Sequence, residues 1–221
     1  APPKMYHSLP LSPGSHMKPQ FPTPCLCLVT DRKVCRQIPL EEVVSQAIAQ
    51  GVNMVQLREK DLSAKPLLEL ARRLRDVTSG SALLVVNESI DIALACGADG
   101  IQLGEEASSP EAARQVAGTD MLIGRSVHSL EGALAAEAQG ADFLVVGTLF
   151  ASSSHSSTPP AGPGLLARIA QRIHIPFIGI GGINSCNIDK VMASGAWGAA
   201  VISAILSSKV PGRAAKELRE V

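Results

Sequence analysis

The sequence predicts an α/β chain folded as a single (β/α)8 TIM barrel, and three observations carry that expectation. From Cys25 onward, short apolar runs alternate with segments whose apolar residues recur at helical spacing, the pattern of βα units around a parallel sheet. Eight such units can be counted. A weak repeat, Gly51-Val-Asn-Met, Gly97-Ala-Asp-Gly, Gly140-Ala-Asp-Phe and Gly195-Ala-Trp-Gly, stands where a helix should end and a strand begin. Glycine fits there as the left-handed residue after a helix. A doubly wound open sheet would alternate in the same way, but eight short units without a GxGxxG after the first strand favour closure into a barrel.

Taken in order, the strands are expected at Leu26 to Thr30, Met54 to Leu57, Leu83 to Val86, Gly100 to Leu103, Leu122 to Gly124, Phe143 to Val146, Phe177 to Ile180 and Ala199 to Ile202. Between them, Val43, Val44, Ala47 and Ile48, then Leu67, Leu70, Ala71 and Leu74, are spaced as helix faces that pack on a sheet. Met54 and Met192 read as core. The segment after the sixth strand, Thr148 to Gly164, is longer than its neighbours and rich in Ser and Pro. At that end of a barrel a long loop is expected to cover substrate. Gly14-Ser15-His16-Met17 resembles a cloning remnant, so residues 1–17, with His7 and His16, are expected to be tag sequence and 18–221 one barrel domain.

Composition narrows the function classes. Lys plus Arg is 20 and Asp plus Glu is 20, so no overall field gathers nucleic acid or an acidic membrane, and any anion site must be local. Aromatic residues make up 3%, with one Trp and one Tyr, which removes the stacking platforms of single-strand binders. The five cysteines, at 25, 27, 35, 96 and 186, are odd in number and lack CxxC or Cys/His spacing. Neither a disulfide framework nor a zinc site is indicated, and they read as reduced thiols of a cytoplasmic protein. No apolar run reaches the roughly 18 to 20 residues of a membrane span, and no secretory h-region is seen.

Two stretches carry chemistry. Phe177-Ile-Gly-Ile-Gly181-Gly182-Ile183 is an apolar strand running into paired glycines, whose bare N–H groups let an oxyanion approach the main chain. Asn184 and Ser185 read as the start of a helix whose dipole would favour the same anion, although an ordinary strand-to-helix turn has the same look. The second strand ends Gln56-Leu57-Arg58-Glu59-Lys60-Asp61, and period-two alternation puts Gln56, Arg58 and Lys60 on one face. An Arg fork and a Lys point charge suit a phosphate or diphosphate. The plainer alternative pairs Arg58 and Lys60 with Glu59 and Asp61. His174, ahead of the seventh strand, is assigned no function.

Val55-Gln-Leu-Arg-Glu-Lys60, Val86-Asn87-Glu88 with Asp91-Ile-Ala-Leu-Ala, Gly97-Ala-Asp-Gly-Ile-Gln-Leu-Gly104, Gly124-Arg-Ser-Val-His-Ser129 and Ile178-Gly-Ile-Gly-Gly-Ile183, in this order, resemble the thiamine phosphate synthase/TenI superfamily from about Cys27 to the C-terminus. The resemblance implies a TIM barrel that handles thiamin precursors, usually as a homodimer. For the synthase branch it implies a diphosphate grip at Gln56, Arg58, Lys60 and Asn87, with Mg²⁺ bridging the diphosphate. The acid after the Asn is Glu88 here, while the second acid falls at Ala107, so a metal site would need Glu105 or Glu106. The synthase's lysine after strand 6 has His155 near its place. For the TenI branch the resemblance implies a metal-independent thiazole tautomerase with His128 as proton carrier, Ser126 sharing its face. In both branches Gly181, Gly182 and Ser203 would hold the thiazole phosphate. The first reading is therefore a TenI-like tautomerase with no cofactor expected. The second is a Mg²⁺-dependent synthase, and the third a non-catalytic binder of thiamin precursors.

Overall fold

The computed structural model describes residues 18–35, 38–151 and 159–220, and in it eight parallel strands close into a barrel in sequence order. The strands are β1 (Cys25–Val29), β2 (Met54–Leu57), β3 (Leu83–Asn87), β4 (Gly100–Leu103), β5 (Leu122–Val127), β6 (Phe143–Val146), β7 (Phe177–Ile180) and β8 (Gly198–Val201). Around them run α1 (Leu40–Ile48), α2 (Ala64–Thr78), α3 (Ile90–Cys96), α4 (Pro110–Ala117), α5 (Leu130–Ala138), α6 (Pro163–Ala170), α7 (Ile188–Ala193), α8 (Ser203–Leu206) and α9 (Pro211–Arg219). The predicted (β/α)8 barrel is what forms. The expected tag, residues 1–17, lies outside the described residues.

Strands β2, β4, β6 and β7 have the predicted bounds, and β1 and β8 each sit one residue earlier. The larger difference is β5, which continues past Gly124 because Arg125, Ser126 and Val127 pair with Leu144, Val145 and Val146. Polar residues hid that extension from a reading based on apolar runs. Along each strand alternate side chains turn inward, where Cys27, Val29, Met54, Val85, Phe143, Val145 and Ile178 form a buried cluster inside the barrel. The intervening residues, such as Leu28, Val55, Leu84, Ile101 and Leu144, pack against the helices in a second cluster. Met54 is buried and Met192 half-buried against that outer cluster.

The repeat seen in the sequence has a structural job. Its glycines, Gly51, Gly97, Gly140 and Gly195, all take positive φ, between 66° and 108°. Its third residue ties adjacent strands together. Asn53 Oδ1 accepts from Leu26 N–H at 2.9 Å, Asp99 Oδ2 from Leu84 N–H at 2.7 Å, and Asp142 Oδ2 from Ile123 N–H at 2.7 Å. Each acceptor stands just before its own strand and grips the second residue of the preceding one. Arg75 of α2 pairs with Asp99, and Arg114 of α4 with Asp142. In the fourth copy Trp197 supplies only backbone, accepting from Cys25 N–H and donating to Phe177 C=O, both at 2.9 Å. At the N-terminal mouth Phe21 packs against the inner cluster, its ring tilted at 40° and 5.1 Å from that of Phe143. His174 sits exposed at that same end. No helix among the described residues is long and apolar enough to cross a membrane.

Asp99 accepts from both a backbone amide and a guanidinium. Asp99→Ala is expected to lower the unfolding free energy by about 2–3 kcal/mol in a urea titration. Asp99→Asn keeps an acceptor for Leu84 N–H and should cost clearly less; equal losses would rule out the backbone bond as the main contribution.

Candidate functional site

At the C-terminal ends of the strands the barrel opens into a cavity of ≈ 750 Å³. Residues at or just past the ends of all eight strands, from Val29 of β1 to Val201 of β8, contribute to its wall, so what lines it is set by the barrel's in-and-out alternation. Gln56, Arg58 and Lys60 all line it, as the period-two reading of β2 requires. Gln56 is buried and its Nε2 donates to Asn87 Oδ1 at 3.1 Å, which joins the ends of β2 and β3.

The pairing of Arg58 and Lys60 with Glu59 and Asp61 does not occur. Glu59, whose side chain is 2% exposed, accepts from the backbone N–H and Nη1 of Arg32, each at 3.0 Å. Asp61 takes two parallel bonds from the same guanidinium, at 2.6 and 2.7 Å, and pairs with Lys33 at 3.1 Å. The Arg32 guanidinium, with Lys33 beside it, holds the Asp61 carboxyl well below the usual carboxylate range. Arg58 N–H is fixed by the buried Thr30 hydroxyl at 2.9 Å. With both acids engaged from the β1 side, Arg58 and Lys60 have no carboxylate partner among the described residues, and both reach the cavity.

Across the mouth, Gly181 and Gly182 have φ of 101° and 63°. A Cβ on Gly181 would lie 2.5 Å from Thr148 Cγ2, and one on Gly182 2.5 Å from the Ala151 carbonyl oxygen, so only glycine fits either position. Their N–H groups find no internal acceptor among the described residues. Ser203, the first residue of α8, lines the same wall together with Asn184. The helix expected to start at Asn184 and Ser185 begins instead at Ile188. The Asn side chains favour a turn over helix here: Asn184 Oδ1 accepts from Cys186 N–H and Asn187 Oδ1 from Asn184 N–H, both at 2.9 Å. Asn187 Nδ2 also donates to Gly182 C=O at 3.0 Å. The glycine turn is therefore held by amides, and it presents bare N–H groups without the start of α7 behind them.

Ser126 and His128 both line the cavity from the end of β5. His128 Nδ1 bonds the Gly147 carbonyl, which can only accept, so the proton is on Nδ1 and Nε2 is the atom turned to the cavity side. Nε2 stands 3.5 Å from Glu105 Oε2. Ser129 caps α5, accepting from Gly132 N–H at 3.0 Å. His155 lies outside the described residues.

Sequence reasoning passed over several residues that shape the site. Gln102 is 1% exposed, and its Nε2 donates to Ser126 Oγ at 2.9 Å. A polar residue at an inward position of a short barrel strand was the available signal. Arg125 holds the β4–α4 loop by donating to the carbonyls of Glu105, Ala107 and Ser108 at 2.8, 3.3 and 2.8 Å. Arg32 gave no local signal, because its partners are 27 and 29 residues away.

Residues 26–205 match the family model described as thiamine monophosphate synthase. The chain belongs to the thiamine monophosphate synthase family. A thiamine-phosphate synthase of Clostridium acetobutylicum is 42% identical over 185 residues, covering 83% of this chain and 88% of the relative. One of Gloeobacter violaceus is 43% identical over 175 residues, 79% of this chain, which spans about half (51%) of that longer relative. Among solved structures, the thiamine phosphate pyrophosphorylase of Pyrococcus furiosus superposes with a TM-score of 0.82 at 37% identity, covering 89% of this chain and 94% of its own. These relatives carry synthase or pyrophosphorylase names, so the leaning toward the TenI branch gains no support from them.

In a thiamine monophosphate synthase family barrel the metal question falls on Glu88, Glu105 and Glu106, all of which line the cavity. Glu88 takes a left-handed φ of 59°, rare for a residue with a side chain, and its Oε1 lies 2.3 Å from where a Cβ on Gly104 would be. Among the described residues no three His, Cys, Asp or Glu groups form a closed cage. Mg²⁺ is ordinarily held by one or two carboxylates plus substrate phosphates, and the all-oxygen donor set here fits that mode.

The Asp61 pair adds stability above the unfolded-state pKa of about 3.9 and loses it as pH falls through the lower folded-state value. The urea midpoint of Asp61→Asn should lie below that of the parent protein at pH 7, with the gap closing from about pH 4 downward. A gap that already narrows between pH 7 and pH 5 would contradict the pairing.

Proposed function

We propose that the protein is a Mg²⁺-dependent thiamine-phosphate synthase, joining hydroxymethylpyrimidine diphosphate to thiazole phosphate with release of pyrophosphate. The observation that carries this reading is the pair of cations, Arg58 and Lys60, left without carboxylate partners among the described residues and facing the same cavity as Gly181 and Gly182. A tautomerase acting on one anchored phosphate leaves the first of these anion sites without a task. A reaction between two phosphorylated substrates uses both. The synthase names of relatives more than 40% identical support the same choice.

In this reading Arg58 grips the diphosphate with its planar fork while Lys60 adds a compact charge, and Gln56 and Asn87 supply amide donors beneath them. The amides of Gly181 and Gly182, with Ser203, hold the thiazole phosphate across the mouth. Fixing both ligands in one cavity brings the thiazole ring nitrogen to the methylene carbon that carries the diphosphate. A C–N bond forms there as the C–O bond to the diphosphate breaks. Glu88, with Glu105 or Glu106, would hold Mg²⁺, which would supply positive charge to offset that of the pyrophosphate. Ser126 and His128 Nε2 stand between the two anion sites and are assigned to the pyrimidine part of the substrate. The TenI-like reading keeps one supporting observation: His128, held through Nδ1 by the Gly147 carbonyl, lines the cavity with Nε2 beside Glu105.

Incubation of the protein with both substrates should give thiamine phosphate and pyrophosphate only when Mg²⁺ is present. No product, together with accelerated aromatisation of a thiazole carboxylate phosphate, would replace the synthase by the tautomerase. Within the synthase, Arg58→Ala should raise KM for the diphosphate about tenfold or more and leave KM for the thiazole phosphate little changed, and Gly182→Ala should do the reverse. Equal effects of both variants on both substrates would contradict separate anion sites.

A further inference from the structure

Among the described residues, the inside of the barrel holds a buried polar side chain that the proposed reaction does not use. Gln102 of β4 is 1% exposed, and its Oε1 has no hydrogen-bond partner among the described residues. It fills the space left by its neighbour in register on β5, Gly124: a Cβ there would lie 2.2 Å from Gln102 Oε1 and 2.3 Å from Phe143 Cζ. The amide is thus seated by packing, and among the described residues its one hydrogen bond is that from Nε2 to Ser126 Oγ at 2.9 Å.

A buried amide oxygen without a donor is unfavourable, and an apolar side chain of similar length, such as Met, would occupy the same space without that cost. What an apolar side chain cannot supply is the N–H aimed at Ser126. A serine hydroxyl has one hydrogen to give and two lone pairs to accept with. With a lone pair taken by Gln102 below it, the Ser126 O–H cannot point back at that nitrogen and is left to the cavity that Ser126 lines.

We infer that Gln102 is a positioning residue that turns the Ser126 hydroxyl hydrogen into the cavity, so that Ser126 acts as a donor to an acceptor atom of the bound pyrimidine substrate. The identity of that substrate rests on the synthase reading; the orientation of Ser126 does not. The orphaned Oε1 is the structural cost of this arrangement. A flipped amide would give the opposite result, with Oε1 accepting the serine hydrogen and withdrawing it from substrate.

The test compares Gln102→Met, Ser126→Ala and the double variant by thermal unfolding and by steady-state kinetics with both substrates. Gln102→Met is expected to unfold at a higher temperature than the parent protein while kcat/KM for the pyrimidine diphosphate falls about tenfold. Ser126→Ala should fall at least as far, and the double variant no further than Ser126→Ala alone, because Gln102 acts through Ser126. A Gln102→Met protein that is less stable with unchanged kinetics, or single losses that multiply in the double variant, would overturn the inference. If the parent protein makes no thiamine phosphate, the synthase reading fails on its own. Calorimetric binding of the pyrimidine diphosphate then decides for Gln102: equal weakening by Gln102→Met and Ser126→Ala, with no further loss in the double variant, sustains its role, and unchanged binding to Gln102→Met refutes it.

Discussion

The bonds from Asn53, Asp99 and Asp142 to the amides of Leu26, Leu84 and Ile123 set the conditions for everything else in this barrel. A parallel sheet has evenly spaced backbone bonds, and nothing in that ladder alone prevents a strand from slipping by one residue. A slip of one residue would exchange every inward side chain for an outward one. Each of the three side chains fixes the second residue of one strand to the start of the next, and two of them are tied to a helix by arginine. Because the strands are only four to six residues long, a single such bond near the start of a strand determines which side chains reach the far end.

What reaches the far end is the site. Once β2 is in register, Gln56, Arg58 and Lys60 must face the cavity, and Glu59 and Asp61 must turn away from it toward Arg32. The clamp from β1 therefore does two things with one guanidinium. It neutralises the acids that stand next to the cations, and it leaves the cations available for an anionic ligand. Across the barrel, tight contact of Gly181 and Gly182 with Thr148 and Ala151 brings bare amides to the surface of the cavity. The floor between these two regions is an array of amide and hydroxyl groups, Gln56 with Asn87 and Gln102 with Ser126, that bond one another in adjacent pairs of strands.

Much of this could be read from the residues alone. Apolar runs and the glycine repeat were sufficient for the barrel and for most strand bounds, because burial on both faces leaves little freedom in composition. The tight glycine turn at Gly181 and Gly182 and the inward trio on β2 followed from backbone and alternation arguments that depend only on neighbours in sequence. The extension of β5 through Arg125 to Val127 did not show, since Arg125 and Ser126 are polar: one holds the β4–α4 loop and the other lines the cavity. The late start of α7 was hidden by Asn184 and Asn187, which serve equally well as helix caps and as turn formers. The fate of Arg58 and Lys60 could not be settled from sequence either. It depends on Arg32, and no spacing rule connects residues that meet only because β1 and β2 are neighbours.

The central claim is that the cavity holds two anions at once, one at Arg58 and Lys60 and one at Gly181 and Gly182. Calorimetric titration of Mg²⁺-pyrophosphate into protein already saturated with thiazole phosphate tests it most directly. Two separate sites predict binding of one pyrophosphate per chain, with an affinity little changed by the thiazole phosphate. Loss of pyrophosphate binding in proportion to thiazole phosphate occupancy would show a single shared anion site and contradict the account.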